Sequence, residues 1–414
     1  MNGLAALVKV KETFPALKHR NFRYFWFGQC ISLLGTWMQT TAQQWLVYTL
    51  TKSALLLGLL GVAQFGPVML LSLFAGVFVD RYPKKRMLII TQTALMLQAF
   101  ALAALVLSGH VTYWHVFILA VLLGLVNTLD LPTRQSYMPD LVGMKDLRSG
   151  IGLNSAIVNV ARMVGPALSA ALMAKYSPGL LFLLNGISFI PVIVGLYLIK
   201  TKPGAVKKSE KKIVAEMVGG LRYIRRTPVL LGAVLSMLAV GTFVMNFNVV
   251  IPIYAAQALK SGVNGYGLLM SASGAGSLIG ALLVSSRAKG NPRLQILFGS
   301  GLLVSAFLIL LNFIHTLPAA AWTFGIVGFF NIIFITTVNS SIQLNSSHEF
   351  RGRVMSVYTF AFAGTTPIGN FFAGSITEKF GPGIGFLMCG LVSLVFLLAV
   401  VGGVFSKPRQ SGLV

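Results

Sequence analysis

The chain has 414 residues, 56% hydrophobic and only 10% charged, with a mean hydropathy of +0.80. Soluble proteins carry about 25% charged residues, so a soluble globular fold is excluded. The net charge of +24 raises nucleic-acid binding, since basic clusters are its electrostatic footprint, but the placement of the charges decides against it.

A bilayer is crossed by about 20 apolar residues in helical conformation. Stretches of that kind fall at about 22–50, 54–79, 87–108, 113–130, 150–174, 178–199, 229–257, 264–286, 293–314, 318–341, 353–377 and 383–405, called here spans one to twelve. With the N-terminus in the cytoplasm, 25 of the 33 Lys and Arg lie in the N-terminal segment, the even-numbered loops and the C-terminal tail, and Arg23, Arg293 and Arg353 open spans one, nine and eleven on that same side; the exceptions are Lys52, Lys175, Lys260, Lys379 and Arg162. This is the positive-inside bias of membrane proteins, so the charge reports topology and contact with anionic lipid headgroups. The expectation is a multi-pass protein of a bacterial inner membrane, both termini cytoplasmic, without nucleic-acid partners. Cys30 and Cys389 fall in apolar spans, where a disulfide framework is not expected.

Span one carries Gln39, Gln43 and Gln44 beside Trp37 and Trp45. Span five carries Asn154, Asn159 and Arg162, span seven Phe243, Asn246, Phe247 and Asn248, and span ten Asn331. Lipid does not tolerate such groups on its own side, and the set suggests a wet cavity, with Gln39, Gln43, Asn154, Arg162, Phe243, Asn246 and Asn331 as candidate substrate contacts. Interhelical hydrogen bonding is the alternative for any one amide. A charge such as Arg162 near mid-membrane costs roughly 2.5–3.5 kcal/mol and needs a partner, yet the nine acids all fall in loops, tails or helix ends. Helix carbonyls, span amides and an anionic group on a substrate are the candidates. Span eight is dense in Gly and Ser, with Gly276 and Gly280 on one face for close helix packing.

Between the sixth and seventh spans, 200–228 is basic, and Ile213, Met217, Leu221 and Ile224 recur at helical spacing, as in a helix lying on a surface. It divides the chain into a bundle over 1–199, this linker, and a bundle over 229–414. One offset relates the two bundles: Gly28 and Gly232, Gly76 and Gly280, Gly124 and Gly328, Asn127 and Asn331, Gly165 and Gly369, and Lys175 and Lys379 are each 204 residues apart. The chain therefore reads as a duplicated six-helix unit, a parallel repeat of the kind found in carriers.

The segment Gly76-Val-Phe-Val-Asp80-Arg81-Tyr-Pro83-Lys84-Lys85-Arg86 resembles the loop motif of the major facilitator superfamily. It differs at Pro83 and Lys84, where the superfamily has Gly and Arg. Gly165-Pro166-Ala-Leu-Ser169-Ala170 is similar to the Gly-Pro motif associated with antiporters. Asn127-Thr-Leu-Asp130-Leu-Pro132-Thr-Arg134-Gln135, followed by Asn154-Ser155 and Ala161-Arg162, resembles the enterobactin-exporter-like branch. The resemblance covers essentially the whole chain. It implies an all-α membrane fold of twelve helices in two pseudo-symmetric bundles, with spans one, four, seven and ten around a cavity. It also implies a secondary transporter exporting an amphipathic small molecule, drug or siderophore-like, as a monomer by proton antiport, with the proton gradient as energy source and no cofactor. The Arg that proton-coupled members place in the fourth span is absent. Packed in that way, Asp130 would pair with Arg81 or Lys84, and Asp80 would sit at the start of span eleven. With Arg134, these residues would form a gate at the cytoplasmic side. A lipid or lysophospholipid flippase of the same fold is the alternative.

A channel or membrane enzyme fits less well. No acidic ring or carbonyl filter is visible. His19, His110, His115, His315 and His348 are scattered without metal-ligand spacing, and no Walker sequence is present.

Overall fold

The computed structural model describes residues 14–200, 213–286, 294–347 and 350–405. The linker residues 201–212 lie outside them. All regular elements among the described residues are helical. Span one is Arg20–Thr51, span two Ala54–Arg81, span three Lys84–Leu107 and span six Pro178–Leu198. The linker forms a helix over Ile213–Arg226. Span seven is Pro228–Ala258, span eight Gly262–Ser286, span nine Leu294–Phe313, span ten Leu317–Asn345, span eleven 351–380 and span twelve Pro382–Phe405.

Spans four and five form one helical run, Tyr113–Met173, which turns at Gly143. There φ is +71°, a conformation in which a side chain is strained. The loop expected at 131–149 is therefore helix, despite Pro132 and Pro139. The reason is packing: Tyr137, Met138, Leu141 and Val142 continue an apolar face beyond span four and bury it against Phe25, Leu88, Val192 and Leu196. Among the described residues nine helices are long and apolar enough to cross a membrane, with spans four and five counted as one. Spans one and eleven complete the twelve as helices of comparable length.

The chain forms two compact units. The first holds span one to Leu50, span two from Leu70, and spans three to six. The second holds residues 51–69 with the linker helix and spans seven to twelve. The packing division thus runs through span two, whereas the repeat divides the chain at the linker.

Within each unit the 204-residue repeat has a packing counterpart. A Cβ on Gly165 of span five would lie 2.6 Å from the Trp37 Cβ and 3.4 Å from the Met38 nitrogen, and one on Gly369 of span eleven would strike the Thr242 carbonyl. Trp37 and Met38 are the repeat mates of Gly241 and Thr242, so both bundles bring a glycine against the same turn of their own first helix.

The spans of the second unit are less regular. Span seven contains π-helical turns at Val240–Val244 and Tyr254–Ala258, and span eleven one at Phe360–Gly364. Such bulges release backbone carbonyls and occur often at functional positions. Lower in span seven, Tyr254 donates to the Ile314 carbonyl at 2.5 Å and meets Phe386 edge-on at 5.1 Å.

Candidate functional site

Two polar constellations lie within the first unit. The first centres on Asp130, 1% exposed, on a turn that still lies inside the apolar part of span four. Its Oδ1 accepts from the Thr91 hydroxyl and the Gln92 amide, both at 2.7 Å, and its Oδ2 from Arg134 at 2.5 Å. Arg134 also donates to the side-chain amide oxygen of Gln29. Spans one, three and four are thereby joined around one buried ion pair. Truncating one partner of such a pair costs far more than the pair itself contributes. Three atoms of the network, Gln29 Nε2, Gln92 Oε1 and Arg134 Nε, are buried without a partner.

This arrangement corrects the Lys84 half of the pairing expected from sequence. Asp130 is held by Arg134, one helical turn on, while Lys84 reaches Asp140 at 3.3 Å and the Ser136 carbonyl at 2.8 Å. The extra helix at 131–142 carries Asp140 into reach of Lys84. His19 bonds to Asp146 at 2.8 Å and Lys85 to the Ile199 carbonyl at 2.7 Å, so the N-terminal segment, the span four to five connection and the end of span six are tied together at the Lys/Arg-rich end. The side chains of Asp80 and Arg81 lie outside the described residues.

The second constellation is Arg162 on the face of Trp37, with the guanidinium carbon 5.1 Å from the ring centroid. Gly165 and Ser169, one and two turns further along span five, make this possible. The glycine admits the Trp37 backbone, and the Ser169 hydroxyl donates to the Met38 carbonyl at 3.1 Å. Arg162 is half-buried, takes part in no ion pair among the described residues, and has a buried Nε without a partner. It lies 11 residues from the Met173 end of the run and Trp37 14 residues from the Thr51 end of span one, about 16 and 21 Å along the helices. A stacked guanidinium keeps its donors in a planar fork suited to a carboxylate or phosphate, and stacking on an aromatic face supplies cation–π stabilisation.

The remaining candidates divide. Gln39 is 4% exposed and uses both ends of its amide, donating to Gln98 at 3.1 Å and accepting from Asn185 at 2.8 Å; this ties spans one, three and six. Asn246 donates to the Gly241 and Thr242 carbonyls at 3.1 and 2.5 Å, satisfying backbone freed by the π turn. In both, the geometry is that of interhelical or local support. Gln43 keeps a buried amide nitrogen, and Asn331 a buried amide oxygen, without a partner. Asn154 is half-buried, and Phe243 meets Phe372 edge-on at 5.3 Å. Gln29, Thr91, Gln92, Gln98 and Asn185 escaped the sequence analysis, although an amide inside an apolar span is itself a signal. No group of three or more metal-ligating side chains occurs among the described residues.

The family described as transmembrane secretion effector matches this sequence over residues 11–410. The staphyloferrin A transporter of Staphylococcus aureus is 25% identical over 365 residues, covering 87% of this chain and 90% of the relative. The multidrug efflux pump Tap of Mycolicibacterium fortuitum is 25% identical over 396 residues, covering 92% and 94%. Macrolide efflux protein A of Streptococcus pyogenes is 22% identical over 414 residues, covering 95% and 97%. Among solved structures, the nucleoside transporter NupG superposes with a TM-score of 0.72 at 12% identity, covering 94% of this chain and 100% of that one. A bacterial homolog of the human lysosomal transporter Spinster, in an inward-facing unoccupied conformation, gives 0.70 at 15% identity, covering 93% and 95%. At these identities the structures establish the fold alone.

Proposed function

The chain belongs to the transmembrane secretion effector family of the major facilitator superfamily and is a multi-pass membrane transporter, and from that premise we propose that it exports a small amphipathic molecule by alternating access. The observation that carries the proposal is the Trp37–Arg162 stack. A cation held at mid-span against an aromatic face, with no carboxylate paired to it among the described residues, suits a substrate that joins an anionic group to a flat apolar one. Relatives that carry a siderophore, macrolides or several drugs support an amphipathic cargo and outward transport. The proton gradient supplies the energy in this proposal, and the protein works as a monomer in an inner membrane with both termini cytoplasmic, the side marked by its Lys and Arg.

The Asp130–Arg134 pair and the Lys84–Asp140 pair stiffen the cytoplasmic end of the first unit. Asp80 and Arg81 complete a gate there in this account. Flux measured in proteoliposomes across a panel of anionic, neutral and cationic amphiphiles, under imposed pH or sodium gradients, tests substrate class and coupling together. Saturable, pH-driven flux that favours anionic compounds is expected. Flux driven by neither gradient refutes the coupling, and movement of labelled lipid between leaflets without flux of soluble compounds replaces the exporter with a flippase.

A further inference from the structure

Four carboxylates have described surroundings. Asp130, Asp140 and Asp146 belong to the first unit, and each meets a basic side chain. The fourth, Glu378 near the end of span eleven, forms no ion pair among the described residues. Its Oε2 accepts from the Ala54 N–H at 2.5 Å, the Leu55 N–H at 3.2 Å and the Ser53 hydroxyl at 3.1 Å. These residues open span two, more than 320 positions away in sequence.

The first N–H groups of a helix have no partner within it, and that end of the helix favours an anion. A short side chain just before the helix usually fills the role. Ser53 does so in part, accepting from the Leu56 N–H at 3.2 Å. It then directs its own proton to Glu378, so a carboxylate from span eleven completes the cap of span two.

The cap ends a stripe of close packing. Asn370, Gly374 and Glu378 recur every four residues, on one face of span eleven, and meet Ala54, Gly58 and Gly61 of span two. A Cβ on Gly374 would lie 2.7 Å from the Ala54 carbonyl oxygen and 3.0 Å from the Gly58 Cα, one on Gly58 would lie 2.5 Å from the Asn370 carbonyl oxygen, and one on Gly61 would strike the Asn370 side chain. The backbones therefore touch, and the register that brings Glu378 to Ala54 is fixed by the glycines beneath it. This contact carries residues 51–69 into the second unit. The repeat mates of Asn370, Gly374 and Glu378 are Pro166, Ala170 and Ala174, so the first bundle has no equivalent amide or carboxylate.

We infer that Glu378 is an outward-side latch of the transport cycle. It holds the outer end of span two on span eleven, and it releases Ser53, Ala54 and Leu55 when span two moves away to open that side. What the release accomplishes rests on the alternating-access proposal above, whereas the contact itself does not.

The test uses the full-length protein in intact cells, with Cys30 and Cys389 replaced by alanine. A single reporter, Leu57→Cys, is placed on the turn beside Gly58, where the native residue is 2% exposed, and is labelled from outside with a membrane-impermeant maleimide in the absence of substrate. Glu378→Ala removes the acceptor. Ala54→Pro removes the shortest donor at a first-turn position, where proline is compatible with a helix. Each variant is expected to speed labelling about three- to tenfold, and the double variant no more than either single one, because both break the same contact. The fully buried Leu181→Cys, at the corresponding end of span six, stays protected in every background. Unchanged labelling in either single variant, multiplicative effects in the double variant, or equal labelling at Leu181→Cys overturns the latch. A protein that labels as expected but transports nothing refutes the proposed function and leaves the latch standing.

Discussion

Gly165→Ala tests the packing on which the Trp37–Arg162 stack depends. The added Cβ would lie 2.6 Å from the Trp37 Cβ and 3.3 Å from its carbonyl carbon, against an optimal carbon–carbon separation of about 3.5–4.0 Å. Span five must back away by about 1 Å. That displacement takes the Ser169–Met38 hydrogen bond, now 3.1 Å, beyond useful range and lifts Arg162 off the indole. Overpacking of this size costs about 1–3 kcal/mol, and an interhelical hydrogen bond in a membrane protein is worth about 0.6 kcal/mol. Alanine's better helix propensity, up to about 1 kcal/mol in water, acts in the other direction. The net expectation is a loss of about 1–2 kcal/mol, read by denaturant unfolding in detergent micelles. Gly369→Ala is expected to cost more, because its Cβ meets the Thr242 backbone carbonyl, which cannot rotate aside as a side chain can. If Gly165→Ala is neutral or stabilising, or if Gly369→Ala is the milder change, the proposed close approach is wrong.

Other consequences are independent of this contact. Asp130→Asn leaves the partly buried Arg134 without its counter-charge and is expected to cost about 3 kcal/mol, the lower end of the range for breaking a buried pair. The double change with Arg134→Gln is expected to recover part of that loss in the same unfolding assay, and strict additivity would show that the two residues are not coupled. Gln39→Ala strands the partner atoms of Gln98 and Asn185, at about 1–3 kcal/mol, and is expected to lower stability while leaving the KM for transport unchanged. A raised KM with unchanged stability would return Gln39 to the substrate site. Lys84→Ala is expected to free Asp140 and change surface labelling near the span four to five turn, with little effect on stability since the pair is partly exposed.

The helical fold could be read largely from sequence, because span length and the 204-residue offset are one-dimensional signals. The helix at 131–142 could not. Its two prolines and its polar residues signal a loop, and only the burial of Tyr137, Met138, Leu141 and Val142 against three other spans outweighs them. The same helix explains why Lys84 meets Asp140 and not Asp130. Arg162 was conspicuous because a charge at mid-span is costly wherever it lies. Gln39 and Asn246 were equally conspicuous, yet sequence does not distinguish an amide that lines a cavity from one that bonds to Gln98 and Asn185 or to a π turn. Glu378 appeared as an ordinary acid at a helix end. Its partners are backbone N–H groups that every residue possesses, so no residue type announces the contact.

In the proposed function, Arg162, stacked on Trp37, receives the anionic part of an exported molecule. The direct measurement compares Arg162→Gln and Arg162→Lys with the unaltered protein for concentration-dependent flux of matched anionic and neutral amphiphiles in proteoliposomes, alongside denaturant unfolding of each variant. Arg162→Gln is expected to lose tenfold or more in kcat/KM for the anionic member, about 1.4 kcal/mol, with little change for the neutral one and unaltered unfolding. Arg162→Lys falls between, because lysine keeps the charge but not the planar stack. Equal loss for both compounds, or loss of folding with affinity intact, contradicts it and makes Arg162 part of the scaffold.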